Sequence, residues 1–310
     1  SIPLAKNIFT VLIIIGTSMQ ITTQNQYNTS YKGGLKSLNA LNPISYYTNS
    51  YFKHSAKMSN KNFMPISDSL IGKIKKIKLG KISAWDINPE NSKDYIFFLH
   101  GMSQNVSNYQ AVYETALKNK KAVFAVEYRS YGENKPAILS EDRLRNDVEK
   151  AYKFLTEEKN IRSENIIVVG HSMGGALATN FASKHKDIKA LILLSPIRNM
   201  TSIGKKFLLN KTLGIGVPPK INKLTDKIKP LKWLFSLRFN SQKKIKKVNT
   251  PTYILQSEND SVTLLNGAKK LVKTAQEKEI LKDFTIFPTG GHKVDSKKVD
   301  ALNKILGEIW

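Results

Sequence analysis

The chain has 310 residues, 41% hydrophobic and 9% aromatic, with 17 Gly, 11 Pro and no Cys. That suits one large α/β domain or two small ones with an ample core, and excludes a disordered or collagen-like chain. Without Cys there are no disulfides, thiolate metal sites, Cys nucleophiles or lipid-modified N-terminal Cys, so any chemistry must use oxygen and nitrogen side chains. The formal charge of +25 is uneven, with 14 bases and one acid in residues 197–248. Six Arg against 43 Lys fits bidentate reading of bases and phosphates poorly, so no nucleic-acid partner is expected.

In chain order, the first feature is the apolar run Ile8 to Ile15 (IFTVLIII), preceded by Lys6 and followed by Gly16, Thr17 and Ser18. It has the pattern of a secretory signal peptide and falls well short of the roughly 20 apolar residues of a spanning helix. Residues 1–19 are therefore expected to be a signal peptide or membrane anchor, a core strand or helix being the alternative. The protein is accordingly expected to be exported or membrane-associated. Residues 20–64, rich in Asn, Ser, Thr and Tyr with little apolar periodicity, read as a polar leader. The folded domain is expected over residues 65–310.

From there short β-rich runs alternate with longer helical segments, the signature of a mostly parallel, doubly wound sheet covered on both faces. A hairpin of Ile74–Leu79 and Ile82–Trp85 is expected to turn at Gly80. Further strands are expected at Tyr95–Leu99, Val123–Val126, Ile166–Val169, Leu191–Leu194, Tyr253–Gln256 and Phe284–Phe287. The spacing predicts helices over Asn108–Lys118, Ser140–Glu158, Met173–Lys184, Leu264–Lys278 and Ser296–Ile309. Residues 197–248 break the alternation as a Lys-rich insertion with its own apolar residues, among them Phe207, Trp233 and Phe235.

Gly170-His171-Ser172-Met173-Gly174-Gly175 lies between a predicted strand and a predicted helix. In that context G-x-S-x-G forms a sharp turn that strains the Ser, lifts its hydroxyl off the sheet and lets neighbouring chain pass close to the glycines. It also aims the positive end of the helix dipole at the place where an oxyanion would form. Neither G-x-G-x-x-G nor a P-loop G-K-[ST] is present, which disfavours a nucleotide-binding turn.

With His100-Gly101 after one strand, Tyr128-Arg129-Ser130-Tyr131-Gly132 after the next, this elbow, and an acid and a His behind it, the chain resembles the α/β-hydrolase-fold serine hydrolases over residues 70–310. It is similar to the lysophospholipase and monoacylglycerol lipase group. His100-Gly101-Met102-Ser103 departs from the H-G-G-G of many esterases, and Ser130 stands where Gly is common. The resemblance implies an α/β-hydrolase fold with a helical lid at about 197–248 and no cofactor or metal. It further implies hydrolysis of a small-molecule or lipid ester, such as a monoacyl lipid, through an acyl-enzyme. A short-chain esterase, thioesterase, peptidase or non-catalytic surface-binding protein remains open on the same scaffold.

A serine hydroxyl needs a base with a pKa near 7, and the chain has five His. His54 lies in the leader, His185 sits between Lys184 and Lys186 and is expected to be solvated, His171 is directed away by the turn, and His100 belongs to the oxyanion loop. His292, in the Gly-rich loop Thr289-Gly290-Gly291-His292, remains, and the resemblance assigns the base to this loop. Asp260 matches the family's acid loop in Gln256-Ser257-Glu258-Asn259-Asp260-Ser261-Val262, with Glu258 as the fallback. The backbone N–H groups of Met102 and Met173 are the expected oxyanion donors. His100, Gly101, Gly170, His171, Gly174 and Gly175 support the motifs. The resemblance places the insertion over the site as a lid, whose Trp233, Leu234, Phe235 and Leu237 beside Lys229, Lys232 and Arg238 suit acyl chains and an anionic membrane surface.

Overall fold

The computed structural model describes residues 54–200 and 239–310. The expected signal segment 1–19, most of the polar leader, and residues 201–238 of the expected lid lie outside the described residues.

Eight strands, β1 (Ile74–Leu79), β2 (Ile82–Ile87), β3 (Tyr95–Leu99), β4 (Ala122–Glu127), β5 (Ile166–His171), β6 (Ala190–Leu194), β7 (Thr252–Ser257) and β8 (Leu281–Phe287), form one sheet. Their order is β1-β2-β4-β3-β5-β6-β7-β8. β1 pairs with β2 and β2 with β4 antiparallel, and every later pairing is parallel. The connecting helices are α1 (Gln110–Lys118), α2 (Glu141–Lys153), α3 (Met173–Ala182), α4 (Ser241–Lys244), α5 (Leu265–Glu277) and α6 (Ser296–Ile309).

β3, β4, β5 and β6 are buried at every position, as strands covered on both faces must be. Alternation along them divides the core: Phe97, Phe124, Val168 and Leu193 pack on one face, Phe98, Ala125, Val169 and Ile192 on the other. Each fully buried aliphatic or Phe side chain contributes about 1.5–3 kcal/mol relative to exposure. The edge strands β1 and β8 keep exposed polar positions, including Lys75, Lys76, Lys282 and Asp283. The sheet thus holds the carboxyl ends of β3, β5 and β7 on one rim, where loops can meet.

Two expectations meet a different outcome. The predicted helix over Ser140–Glu158 is α-helical only to Lys153; Phe154–Glu158 winds as a wider π turn, with Phe154 stacked on Phe124 at 5.6 Å. Residues 54–64, read by composition as leader, are built into the domain. Residues 54–61 are helical, Ser55, Ala56 and Ser59 are buried, and Ser59 Oγ donates to the Gln104 carbonyl at 2.8 Å. Asn105 Nδ2 donates to the Ser59 carbonyl at 2.7 Å, and Met64 N to Ser107 Oγ at 2.7 Å. The polar side chains that suggested a leader bond the loop after β3 instead.

Candidate active site

β5 ends at His171 and α3 starts at Met173, leaving Ser172 alone at the turn with φ 55° and ψ −113°. Only a strongly held backbone keeps a non-glycine residue there. Ser172 N donates to the Leu194 carbonyl at 3.0 Å, and Ile197 N to the Ser172 carbonyl at 3.3 Å, tying the turn to β6 and the chain beyond it. A Cβ on Gly174 would lie 2.0 Å from the Leu99 carbonyl oxygen, and one on Gly170 2.5 Å from that of Gly174. A side chain at Gly174 would part α3 from β3, and one at Gly170 would part α3 from β5.

His292 Nε2 stands 2.9 Å from Ser172 Oγ, and His292 Nδ1 stands 2.9 Å from Asp260 Oδ2. Asp260 is buried and accepts from several donors. Its Oδ1 takes the N–H groups of Val262 and Thr263, each at 2.8 Å, and its Oδ2 takes Thr263 Oγ1 at 2.7 Å and Gln256 Nε2 at 3.2 Å. Burial alone would raise its pKa; His292 and the Thr263 donors outweigh that and hold the carboxyl well below the usual carboxylate range. A carboxylate acceptor at Nδ1 leaves the proton there and the Nε2 lone pair facing the Ser172 hydroxyl. Glu258, the fallback acid, is exposed, and its N–H is engaged by the Phe287 carbonyl.

The His292 loop turns at Gly290 (φ 110°) and Gly291 (φ 59°), and Gly291 N donates to Asn259 Oδ1 at 2.8 Å. From below, the fully buried Lys298 donates to Ser257 Oγ at 2.7 Å, to the Gly291 carbonyl at 3.1 Å and to the Lys293 carbonyl at 2.8 Å. Burial lowers its pKa, while Asp295 and Asp260 oppose that shift.

Met102 follows His100 and Gly101 in the loop after β3, and Met173 N opens α3; the two expected oxyanion donors thus belong to elements adjoining Ser172. Beneath the loop, His100 Nε2 lies 3.0 Å from Glu127 Oε1, both side chains buried. Glu127 Oε2 accepts from Val106 N at 3.1 Å, and Tyr128 Oη donates to the His100 carbonyl at 3.1 Å. His171 points away from the Ser172 hydroxyl but not out of the site: it bonds Tyr109 Oη at 2.7 Å and the His292 carbonyl at 2.8 Å. His185, expected to be solvated, is instead held by Glu149 at 2.8 Å and stacked on Phe181 at 4.1 Å. His54 is exposed on the first described helix.

Sequence reasoning missed Thr263, Gln256, Lys298, Tyr109 and Glu127. Thr263 carried a usable signal, since a residue three positions after an Asp commonly bonds it locally. Lys298, on a terminal helix among other lysines, carried none.

A family model described as "Hydrolase_4: Serine aminopeptidase, S33" matches residues 90–229. "Putative esterase/lipase 2" of Mycoplasma pneumoniae is 31% identical over 131 residues, 41% of this chain and 47% of that protein. The chain thus matches about half the length of that relative. Among solved structures, an alpha-beta hydrolase from Vibrio vulnificus superposes with a TM-score of 0.66 at 20% identity, covering 86% of this chain and 94% of its own. The Pyrococcus furiosus esterase Pf2001 gives a TM-score of 0.62 at 18% identity, with coverage of 80% and 93%. The chain has the α/β-hydrolase fold.

Proposed function

We propose that this protein is a serine hydrolase that cleaves carboxylic esters through an acyl-enzyme on Ser172. The observation that carries the reading is the unbroken series Ser172 Oγ, His292, Asp260, with 2.9 Å at each junction. Ser172 Oγ attacks the ester carbonyl carbon as its proton passes to His292 Nε2, and Asp260 stabilises the resulting imidazolium. The tetrahedral oxyanion is received by the N–H groups of Met102 and Met173, each such donor contributing about 3 kcal/mol in comparable sites. Collapse breaks the C–O bond to the alcohol, which leaves with the His292 proton. Water then attacks the acyl-enzyme with the same residue acting as base, releasing the acid and restoring Ser172.

Within this class the preferred substrate is a monoacyl lipid. The esterase/lipase name of the Mycoplasma pneumoniae relative and the apolar residues of the 197–248 insertion support that choice. A fluorophosphonate probe should label the native protein and fail on Ser172→Ala, which should keep less than about a tenth of any esterase activity, since losing a triad member costs far more. An unlabelled native protein would reduce the reading to a non-catalytic scaffold. A nitrophenyl ester series then grades the acyl preference. Rates rising with chain length support the monoacyl lipid, a maximum at acetate supports a short-chain esterase, and faster cleavage of aminoacyl amides supports a peptidase.

A further inference from the structure

His171 and Tyr109 are buried polar residues with no part in the proton transfers above, yet they bridge the two loops those transfers depend on. His171 Nε2 lies 2.8 Å from the His292 backbone carbonyl, which can only accept, so this nitrogen carries a proton. His171 Nδ1 lies 2.7 Å from Tyr109 Oη, and Gly101 N donates to that same oxygen at 2.9 Å. Gln104 also meets Tyr109 Oη, with its Oε1 set toward the hydroxyl. The Tyr109 hydroxyl proton can point to His171 Nδ1 or to Gln104.

A hydroxyl proton given to Gln104 would oblige His171 Nδ1 to donate as well, making His171 an imidazolium. The ring is 1% exposed. Burial first, then the nearby His292 and Lys298, push its pKa down to about 3. A neutral ring protonated at Nε2 has a lone pair at Nδ1, so Tyr109 donates to His171. Gln104 must then present its amide nitrogen to the Tyr109 oxygen, an orientation fixed by the network rather than by the shape of the side chain. Proton donation therefore runs one way from Gln104 and Gly101 through Tyr109 and His171 to the carbonyl of His292.

We propose that His171 and Tyr109 are positioning residues forming a hydrogen-bonded strut that holds the His292 loop in register with the loop bearing Gly101 and Met102. The inference rests on the ester-hydrolase reading for its kinetic consequence and on hydrogen-bond geometry together with the burial of His171 for its structural one. Tyr109 ring packing against Phe98, at 4.7 Å between centroids, survives loss of the hydroxyl. Tyr109→Phe therefore removes the strut and little else.

Two measurements test it. Long-range proton–nitrogen NMR on the histidine-labelled full chain should find His171 protonated at Nε2 and bare at Nδ1 at neutral pH. A proton at Nδ1 would overturn the strut whatever the protein hydrolyses. With a nitrophenyl ester, Tyr109→Phe should lower kcat about tenfold or more with KM nearly unchanged, since misplacements of an ångström cost up to about a hundredfold. Tyr109→Phe/His171→Phe should lose little beyond the worse single variant. Tyr113→Phe, which removes another buried hydroxyl bond at 2.8 Å to the Val106 carbonyl, is the control and should keep kcat. An unaltered kcat in Tyr109→Phe, or an equal fall in Tyr113→Phe, overturns the positioning role. If the native protein neither labels nor hydrolyses, the hydrolase reading fails while the NMR result still decides the strut.

Discussion

The two sides of the site are held by different forces. Around Ser172 close approach governs: Gly170 and Gly174 let strand and helix touch, and Ser172 turns between them at a φ of 55°. Around His292 the chain is fixed by attraction, through the donors on Asp260 and the three bonds from Lys298. Steric constraints act over a few residues and dictate residue type. Polar anchoring joins distant positions and leaves many residue types possible.

The largest effect should come from the attractive side. Asp260→Asn keeps the shape of the acid but can turn its amide donor toward His292, favouring the wrong tautomer, so kcat should fall about ten-thousandfold, as such changes do in comparable triads. Esterase kinetics on a variant with native circular dichroism measure it, and a loss below tenfold would mean another group orients His292. On the steric side, Gly174→Ala drives a methyl group into the Leu99 carbonyl. We expect at least about 3 kcal/mol of destabilisation, at the upper end of overpacking costs, read from urea unfolding. A shift under about 1 kcal/mol would show that β3 and α3 can separate cheaply. Smallest should be Lys298→Met, which fills similar volume but leaves two loop carbonyls and Ser257 without their donor. A destabilisation of about 2–3 kcal/mol is expected from the same unfolding measurement, given the cost of stranding buried acceptors. No change there would place the loop's rigidity in Gly291 and Asn259 instead.

The same division explains what could be read in advance. The strands from Tyr95 to Leu194 were legible because continuous apolar runs have one good solution, burial on both faces. The elbow was legible because its glycines and serine are required within six consecutive residues. Asp260 and His292 were reached by combining the resemblance with elimination among five His, and the geometry sets them beside Ser172. The leader boundary was not legible, since Ser55 and Ser59 look like solvated residues until their partners in the loop after β3 are known. His185 likewise looked solvated between two lysines because the Phe181 and Glu149 that hold it are contacts of folding.

By itself, then, the sequence determined the alternation of strands and helices and the turn that sets Ser172 between β5 and α3, since local sterics and hydrophobic periodicity are written in neighbouring residues. Only the tertiary structure decided which polar groups share a buried space, that Lys298 supports the His292 loop, and that His171 and Tyr109 connect it to the loop after β3. A hydrogen bond in the interior draws its strength from the exclusion of water, and that exclusion exists only once the separate segments have packed together.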